Sequence, residues 1–361
     1  MNIIKRIRRH ARLSFQAVSN GKIKTPPFLI LFINSVCNLK CEHCFYWSNL
    51  NKKDDLTFEE IIAFAKDYGP FENLNLSGGE PFIHNKLGEI CSFFIKNNKV
   101  KQIYIPTNAY FPDKIRSNVL EILKEPTLEL LAIEISLDGM PEYHNRLRGD
   151  LHSFEKAMMS YRVLEKIQTL DARLKIHANT TVTADNVEEV KKLTKYLYDN
   201  CPKMEHHNIA IIRGNRKNSS LQIPDIEAYK TIYNYANKLW QPKEKGRFGA
   251  IVEPMLQWAK CKTLEVQDQV IPCMAGKLSA VVYANGDVSV CECLPPLGNL
   301  RDKKFSDLWR SADAQKVRQN IRNKKCYCTN EIFMWPSITF QPYQLFRALA
   351  GITMWKRYGA S

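Results

Sequence analysis

The sequence predicts an α/β protein: a partial (β/α)6 barrel of the TIM type over residues 27–242, followed by a small α+β module over residues 243–335. Three observations carry this expectation. Apolar, β-rich runs alternate with helical periodicity six times before Pro242. The alternation then stops, and Asn285-Gly286 separates two β-branched runs, which is a hairpin signal. Cysteines bunch in two places, one at the start of the alternating region and one in the last third. A basic arm (1–26) and an apolar, basic tail (336–361) complete the division.

Strands are expected near 29–33, 73–76, 102–106, 131–137, 174–180 and 208–212, with helices at 57–68, 85–97, 112–124, 154–168, 186–198 and 226–240. Strands that are apolar nearly throughout belong in a parallel sheet with helices outside. Residues at their carboxyl ends then become the functional candidates. In the second module the hairpin occupies 276–292, and helices are expected at 305–310 and 313–322.

Of the 361 residues, 45% are hydrophobic and 25% charged, which excludes disordered and fibrous classes. The longest apolar stretch, residues 28–33, is far short of the roughly 18 needed to span a bilayer, and no cleavable signal precedes it. A cytoplasmic protein is expected, at most peripheral at the inner membrane surface. Without an export signal, 11 cysteines point to metal and not to disulfides.

The net charge of +15 is uneven: Lys5, Arg6, Arg8, Arg9, Arg12, Lys22 and Lys24 all precede the first acid, Glu42. At 100° per residue, Ile3, Ile4, Ile7, Ala11, Phe15 and Val18 share one helix face and Lys5, Arg6, Arg8, Arg9 and Arg12 fall on the other. Such a helix suits the headgroup layer of an anionic membrane. The alternative is a helix packed on the barrel with its charges in solvent. The tail, with aromatic residues up to Trp355 and with Arg347, Lys356 and Arg357, reads as a second anchor. Nucleic acid is not expected as a partner, since the arm has one aromatic and no recognised binding motif.

Cys37, Cys41 and Cys44 follow the first strand directly. One short loop with this spacing can hold three corners of a cubane, and a [4Fe–4S] cluster with three thiolates keeps one iron open for the amino and carboxylate groups of a ligand. A zinc site completed by His43 or a distant histidine is the alternative. At the end of the second strand stands Ser77-Gly78-Gly79-Glu80-Pro81, where paired glycines permit close backbone approach and the carboxylate can accept from an ammonium group.

With CxxxCxxC after the first strand and GGEP after the second, the chain resembles the radical S-adenosylmethionine (SAM) superfamily. Pro106-Thr107-Asn108, ISLDG at 135–139 and HNRLRG at 144–149 follow in the family's order. The resemblance implies that Cys37, Cys41 and Cys44 hold the cluster and that Gly78, Gly79 and Glu80 receive the methionine amino group. It also implies that Ser136 and Arg148 meet the ribose and carboxylate, that Tyr46 contacts adenine through its backbone, and that Asn108 and Asp138 support these residues from behind. SAM would be cleaved to a 5′-deoxyadenosyl radical, with electrons from a donor such as flavodoxin or ferredoxin.

Cys273 and Cys291 flank the hairpin, with Gly286 five residues before Cys291, and Cys326-Tyr327-Cys328 follows a helical segment. This pattern resembles the auxiliary-cluster modules called SPASM and, when shortened, twitch domains. It departs from them in ending CxC where CxxC is usual. Cys273, Cys291, Cys326 and Cys328 are therefore expected to hold one auxiliary [4Fe–4S] cluster, with Cys261 and Cys293 as possible substitutes. Cys91 and Cys201 read as small buried hydrophobes.

The function expected is hydrogen abstraction from a small-molecule, sugar or lipid-linked substrate, leading to oxidation or bond formation. Cys37 lies close to the start, which disfavours a preceding peptide-binding domain, so a peptide (RiPP) maturase with a separate leader-binding chain is the alternative. Arg213, after the sixth strand, is a candidate for binding a carboxylate or phosphate. The competing class is a non-catalytic metal protein that docks a membrane or partner.

Overall fold

A computed structural model describes residues 3–19 and 25–351, residue 3 by its backbone alone. Lys22, Lys24, Trp355, Lys356, Arg357 and the Ile3 side chain therefore lie outside the described residues. Helix α1 (Ile3–Val18) opens the chain and β1 (Phe28–Asn34) follows. The remainder of the alternating region is α2 (Phe58–Tyr68), β2 (Asn73–Gly78), α3 (Leu87–Asn98), β3 (Gln102–Thr107), α4 (Pro112–Leu123), β4 (Leu130–Ser136), α5 (Pro141–Arg148), α6 (Ser153–Leu170), β5 (Leu174–Val182), α7 (Val187–Asn200), β6 (Met204–Ile211) and α8 (Ile226–Glu244). Beyond them come α9 (Gly249–Val266), β7 (Ser279–Val282), β8 (Asp287–Ser289), β9 (Gly298–Asn299), α10 (Phe305–Arg310), α11 (Ala312–Arg322), α12 (Glu331–Thr339) and α13 (Pro342–Leu349).

Contacts divide the chain into two units. One is residues 30–243 with 282–286, and the other is residues up to 29, 244–281 and 287 onward. In the first unit the strands lie in the order β6-β5-β4-β3-β2-β1, and the pairs from β2 to β6 are parallel. β1 is buried at every position, as a strand covered on both faces must be, whereas β3 and β5 alternate. Each expected strand is present, although the sixth begins four residues early, at Met204. The unexpected helix α5 has only 8 residues, too few to show a period; Pro141 opens it and Gly149, at φ 70°, ends it.

Helix starts are built from local chemistry. Thr57 Oγ1 accepts from the Glu60 N–H while Glu60 Oε2 accepts from the Thr57 N–H, a reciprocal cap that fixes the start of α2. Its other end relies on a distant side chain, because Asn98, fully buried, donates through Nδ2 to the carbonyls of Ala65 (2.6 Å) and Gly69 (2.7 Å).

The second unit contains helices the sequence did not disclose. α9 carries Pro254 and α12 carries Pro336; α12 buries most of its length, and α9 buries Gln257, Lys260 and Thr263 along with its apolar residues, so neither shows a clean polar stripe. Val252, Met255, Leu256 and Ala259 of α9 pack with Met334 and Ile338 of α12 and Ala348 of α13. Leu13 and Ala17 of α1 join Phe28, Leu278 and Phe340 in a second cluster. β8 and β9 pair antiparallel.

Replacing Asn98 by Ala would strand two helix-end carbonyls, that of buried Ala65 and that of half-buried Gly69. A loss of about 2 kcal/mol is expected, seen as a lower urea midpoint with an unchanged slope; an unchanged midpoint would refute this role for Asn98.

Candidate functional site

The loop from Cys37 to Cys44 leaves the end of β1 and is braced from several sides. Gly79 N–H donates to Asn34 O (2.9 Å) and Glu80 N–H to Val36 O (2.8 Å), tying the end of β2 to the base of the loop. A Cβ on Gly78 would lie 2.2 Å from Asn34 O, and one on Gly79 would lie 2.1 Å from Val36 O. Gly78 also sits at φ +127°, which disfavours any side chain. Both glycines thus serve a backbone-to-backbone approach beneath the cysteines.

Asn108 at the end of β3 donates through Nδ2 to Asn38 Oδ1 (2.9 Å), inside the loop. Asn51 Oδ1 accepts from the Cys37 N–H. From α5, Leu147 O and Arg148 O accept from the N–H groups of Glu42 and Lys40. Beyond β6, the N–H groups of Lys217 and Asn218 donate to the carbonyls of Cys44 and Glu42. Asn38, Asn51, Lys217 and Asn218 were not foreseen, and they belong to no motif that could have marked them.

Glu80 is 1% exposed, and its carboxylate accepts from Thr107 Oγ1 (2.7 Å), the Asn108 N–H (2.7 Å) and the Phe82 N–H (3.1 Å). Burial pushes it up to about 7, with those three donors pulling the other way.

Arg148 and Asp138 form a buried pair, with Nε and Nη2 at 2.8 and 2.7 Å from Asp138 Oδ2. Asp138 Oδ1 accepts from the Thr181 N–H and its carbonyl from Asn186 Nδ2. Burial raises Asp138, but Arg148 and the neighbouring histidines bring it down to about 2. His144 Nδ1 accepts from the Asp138 N–H, and burial holds His144 down near 3. His43, between the cysteines, packs against this pair with Nε2 at 3.7 Å from Asp138, while its Nδ1 is buried without a partner.

Cys37, Cys41 and Cys44 are unpaired thiols. Burial pushes Cys37 up to about 11, Cys41 up to about 12 and Cys44 upward. The Leu39 N–H at Cys37, the Tyr46 N–H at Cys44 and the Arg148 charge at Cys41 oppose that rise. Thiols set in this way give up their protons to a bound metal group and not to solvent. With the orphaned His43 Nδ1 beside them, this donor set fits a cluster held by three thiolates. Among the described residues, no three His, Cys, Asp or Glu side chains are already gathered around a single ion position.

The remaining candidates lie around this loop. The Tyr46 ring packs on Phe32 (4.7 Å) and parallel to Tyr283 (6.4 Å), and its carbonyl accepts from the Asn49 N–H. Ser136 ends β4, opposite Asn179, and is half-buried. The Arg213 guanidinium lies over Phe45, 4.8 Å from the ring centroid.

In the second unit Cys273, Cys291, Cys293, Cys326 and Cys328 line one cavity of about 560 Å³, solvent at its mouth included. Cys261 is buried in α9 and does not line it. The Ala275 N–H donates to Cys273 Sγ (3.4 Å), and the N–H groups of Cys293 and Asn330 donate to the sulfurs of Cys291 and Cys328. Gln269 Nε2 reaches Cys326 Sγ at 3.8 Å. The Cys293 thiol is within hydrogen-bonding reach of both Cys291 and Cys328, although the residue is exposed. Cys91 and Cys201 are fully buried, and burial raises both thiols.

Residues 31–197 match the family profile described as the radical SAM superfamily, and residues 273–330 match the SPASM iron–sulfur cluster-binding domain. The antilisterial bacteriocin subtilosin biosynthesis protein AlbA of Bacillus subtilis (strain 168) is 23% identical over 81% of the chain and 64% of its own length. The chain thus spans less than two thirds of that relative. The sporulation killing factor maturation protein SkfB of the same strain is 21% identical over 86% of the chain and 71% of its own length. The crystal structure of Streptococcus suis SuiB bound to precursor peptide SuiA superposes with a TM-score of 0.58 at 18% identity, covering 87% of this chain and 71% of that one.

Two outcomes follow from this geometry. In the metal-free protein, native Glu80 keeps its proton to about 7 while the unfolded side chain ionises near 4.5, so folding loses stability as pH rises across that window. Relative to Glu80→Gln, the wild type should lose about 3 kcal/mol between those limits in urea titrations; parallel pH curves would refute this. In a Cys37→Ala/Cys41→Ala/Cys44→Ala background, adding Cys293→Ala should leave about four irons per chain and adding Cys291→Ala should remove them. Iron lost with Cys293→Ala and kept with Cys326→Ala would reverse the ligand choice.

Proposed function

Because the chain belongs to the radical SAM superfamily and carries a SPASM iron–sulfur domain behind that core, we propose that it makes a 5′-deoxyadenosyl radical at the Cys37–Cys44 loop and uses it to oxidise or cross-link a peptide. The observation that carries the site assignment is the convergence of braces from β2, β3, α5 and the segment after β6 on one loop with three half-buried cysteines. When bound, the first cluster supplies the electron that splits SAM into methionine and the radical, and the second supplies an electron acceptor or a substrate anchor.

Cys37, Cys41 and Cys44 hold the first group. The carbonyls of Gly78 and Gly79 and the Glu80 region receive the methionine amino group. Glu80 acts by fixing the Thr107–Asn108 turn, since its carboxylate accepts from both residues. Ser136 and Arg148 meet the ribose and carboxylate, with Asp138 setting the guanidinium plane. The Tyr46 carbonyl has a second lone pair for the adenine amino group. Asn108 holds the loop through Asn38. Cys273, Cys291, Cys326 and Cys328 hold the second cluster. Burial around these groups excludes water from a reactive carbon radical.

The peptide reading rests on relatives that match across both domains, AlbA and SkfB, which are named for bacteriocin biosynthesis and killing-factor maturation. A small-molecule, sugar or lipid-linked substrate is the second reading, favoured by Arg213 over Phe45 as an anion-binding group beside the loop. A cytoplasmic electron donor such as flavodoxin or ferredoxin completes the proposal. Contact with a membrane depends on a surface and not on this site.

Anaerobically reconstituted protein with dithionite and SAM should release 5′-deoxyadenosine, and the Cys37→Ala/Cys41→Ala/Cys44→Ala protein should not. With a peptide pool, a member should lose two hydrogens by mass in step with 5′-deoxyadenosine. SAM cleavage that couples only to carbohydrate or lipid-linked compounds would overturn the peptide part. A sound cluster that leaves SAM intact would overturn the site.

A further inference from the structure

Helix α1 separates its packing face from its apolar face. Leu13 and Ala17, 3% and 2% exposed, pack with Phe28, Leu278 and Phe340. On the same side the His10 ring lies 5.2 Å from Phe340 and 6.0 Å from Phe248. The larger apolar side chains are elsewhere: Ile4, Ile7, Phe15 and Val18 are 53%, 62%, 71% and 54% exposed. At 3.6 residues per turn this stripe, which includes exposed Ala11, is centred about 130° away from the packing face.

A helix that needed only to cover its own unit would put these side chains inward. Here Leu13, Ala17 and the His10 ring pack on the unit and Gln16 Nε2 donates to Lys277 O, while the four larger apolar side chains stay more than half exposed. Exposed Arg8, Arg12 and Lys5 border the stripe on its far side, and α1 contains no acidic residue. In the same unit α13 exposes Tyr343, Phe346 and Leu349 by 69%, 60% and 59%. α1 and α13 together hold seven of the eighteen large apolar side chains that stand exposed among the described residues. Apolar exposure is therefore concentrated on these two helices of one unit.

We propose that the Ile4, Ile7, Phe15 and Val18 stripe of α1 seats in the headgroup–acyl boundary of an anionic lipid surface, with Lys5, Arg8 and Arg12 against the lipid phosphates. A flat-lying helix with a large apolar stripe, a cationic border and no acid is the form that binds there. A second copy fits worse, because pairing two such stripes brings two acid-free cationic helices together. The surface is independent of the radical chemistry.

The test is cosedimentation of the full, reconstituted protein with sucrose-loaded vesicles of phosphatidylcholine alone or with roughly one part in three phosphatidylglycerol. Binding is expected only with phosphatidylglycerol. It should fall about tenfold or more in Ile7→Ser/Phe15→Ser, through lost apolar insertion, and in Lys5→Glu/Arg8→Glu, through lost attraction. High salt should weaken what remains, while circular dichroism and 5′-deoxyadenosine release stay at wild-type levels. Equal binding by wild type and both variants, no binding to phosphatidylglycerol vesicles, or a dimer in sedimentation velocity that Ile7→Ser/Phe15→Ser dissociates would each overturn the proposal, the last by assigning the stripe to a second copy.

Discussion

The contact on which the first site depends is between two stretches of backbone. Gly78 and Gly79 lie so close to Asn34 and Val36 that a single methyl group at either would meet a carbonyl oxygen near 2 Å. That proximity lets the Gly79 and Glu80 N–H groups reach the carbonyls just before Cys37 and makes the end of β2 the floor of the cysteine loop. Every further brace, from Asn108, α5 and the segment after β6, acts on a loop whose base is already fixed. The glycines therefore shape the site before any ligand arrives, which is a different role from making room for one.

Charge is arranged around that floor with equal economy. Removing an ion from water costs on the order of several kcal/mol, and a buried pair regains this only when its remaining lone pairs are used. Asp138 meets that condition, with Arg148 on one oxygen, the Thr181 N–H on the other and Asn186 on its carbonyl. The result is a guanidinium that keeps its charge beside three neutral thiols and lowers the cost of ionising Cys41. Burial lowers both His43 and His144, opposing a second cation beside Arg148.

The alternation of the first unit was legible because its strands are apolar runs of ordinary length and its helices carry clear starts, such as the Thr57–Glu60 pair. What stayed hidden had no local signature. α5 is too short to show a period, α9 and α12 contain proline, and both bury polar as well as apolar side chains. The ligand and glycine motifs were visible in order, but Lys217 and Asn218 act through backbone N–H groups that any residue could supply, and Asn38 and Asn51 act through single amide oxygens that belong to no motif. The apolar face read for the amino-terminal helix is not the face that packs in the structure. Periodicity ranks residues by hydrophobicity and cannot tell that Leu13 and Ala17, outside that face, are the ones that pack.

The cysteines show how structure separates roles that composition cannot. At Cys37, Cys44, Cys273, Cys291 and Cys328 the N–H two residues later is directed at the sulfur, supplied by Leu39, Tyr46, Ala275, Cys293 and Asn330 in turn. Donors to sulfur stabilise the thiolate form, so this geometry suits these five thiols to binding a metal group. At Cys91 and Cys201 burial raises the thiol with no such N–H among the opposing influences, which favours the neutral thiol of a small hydrophobe. Cys293 stands between these classes, because its N–H serves Cys291 while its thiol approaches two sulfurs at the exposed edge of the cavity. A closed cubane takes four thiolates and this cavity offers five, of which Cys326 is approached by a side-chain amide at 3.8 Å where Cys273, Cys291 and Cys328 each receive a backbone N–H.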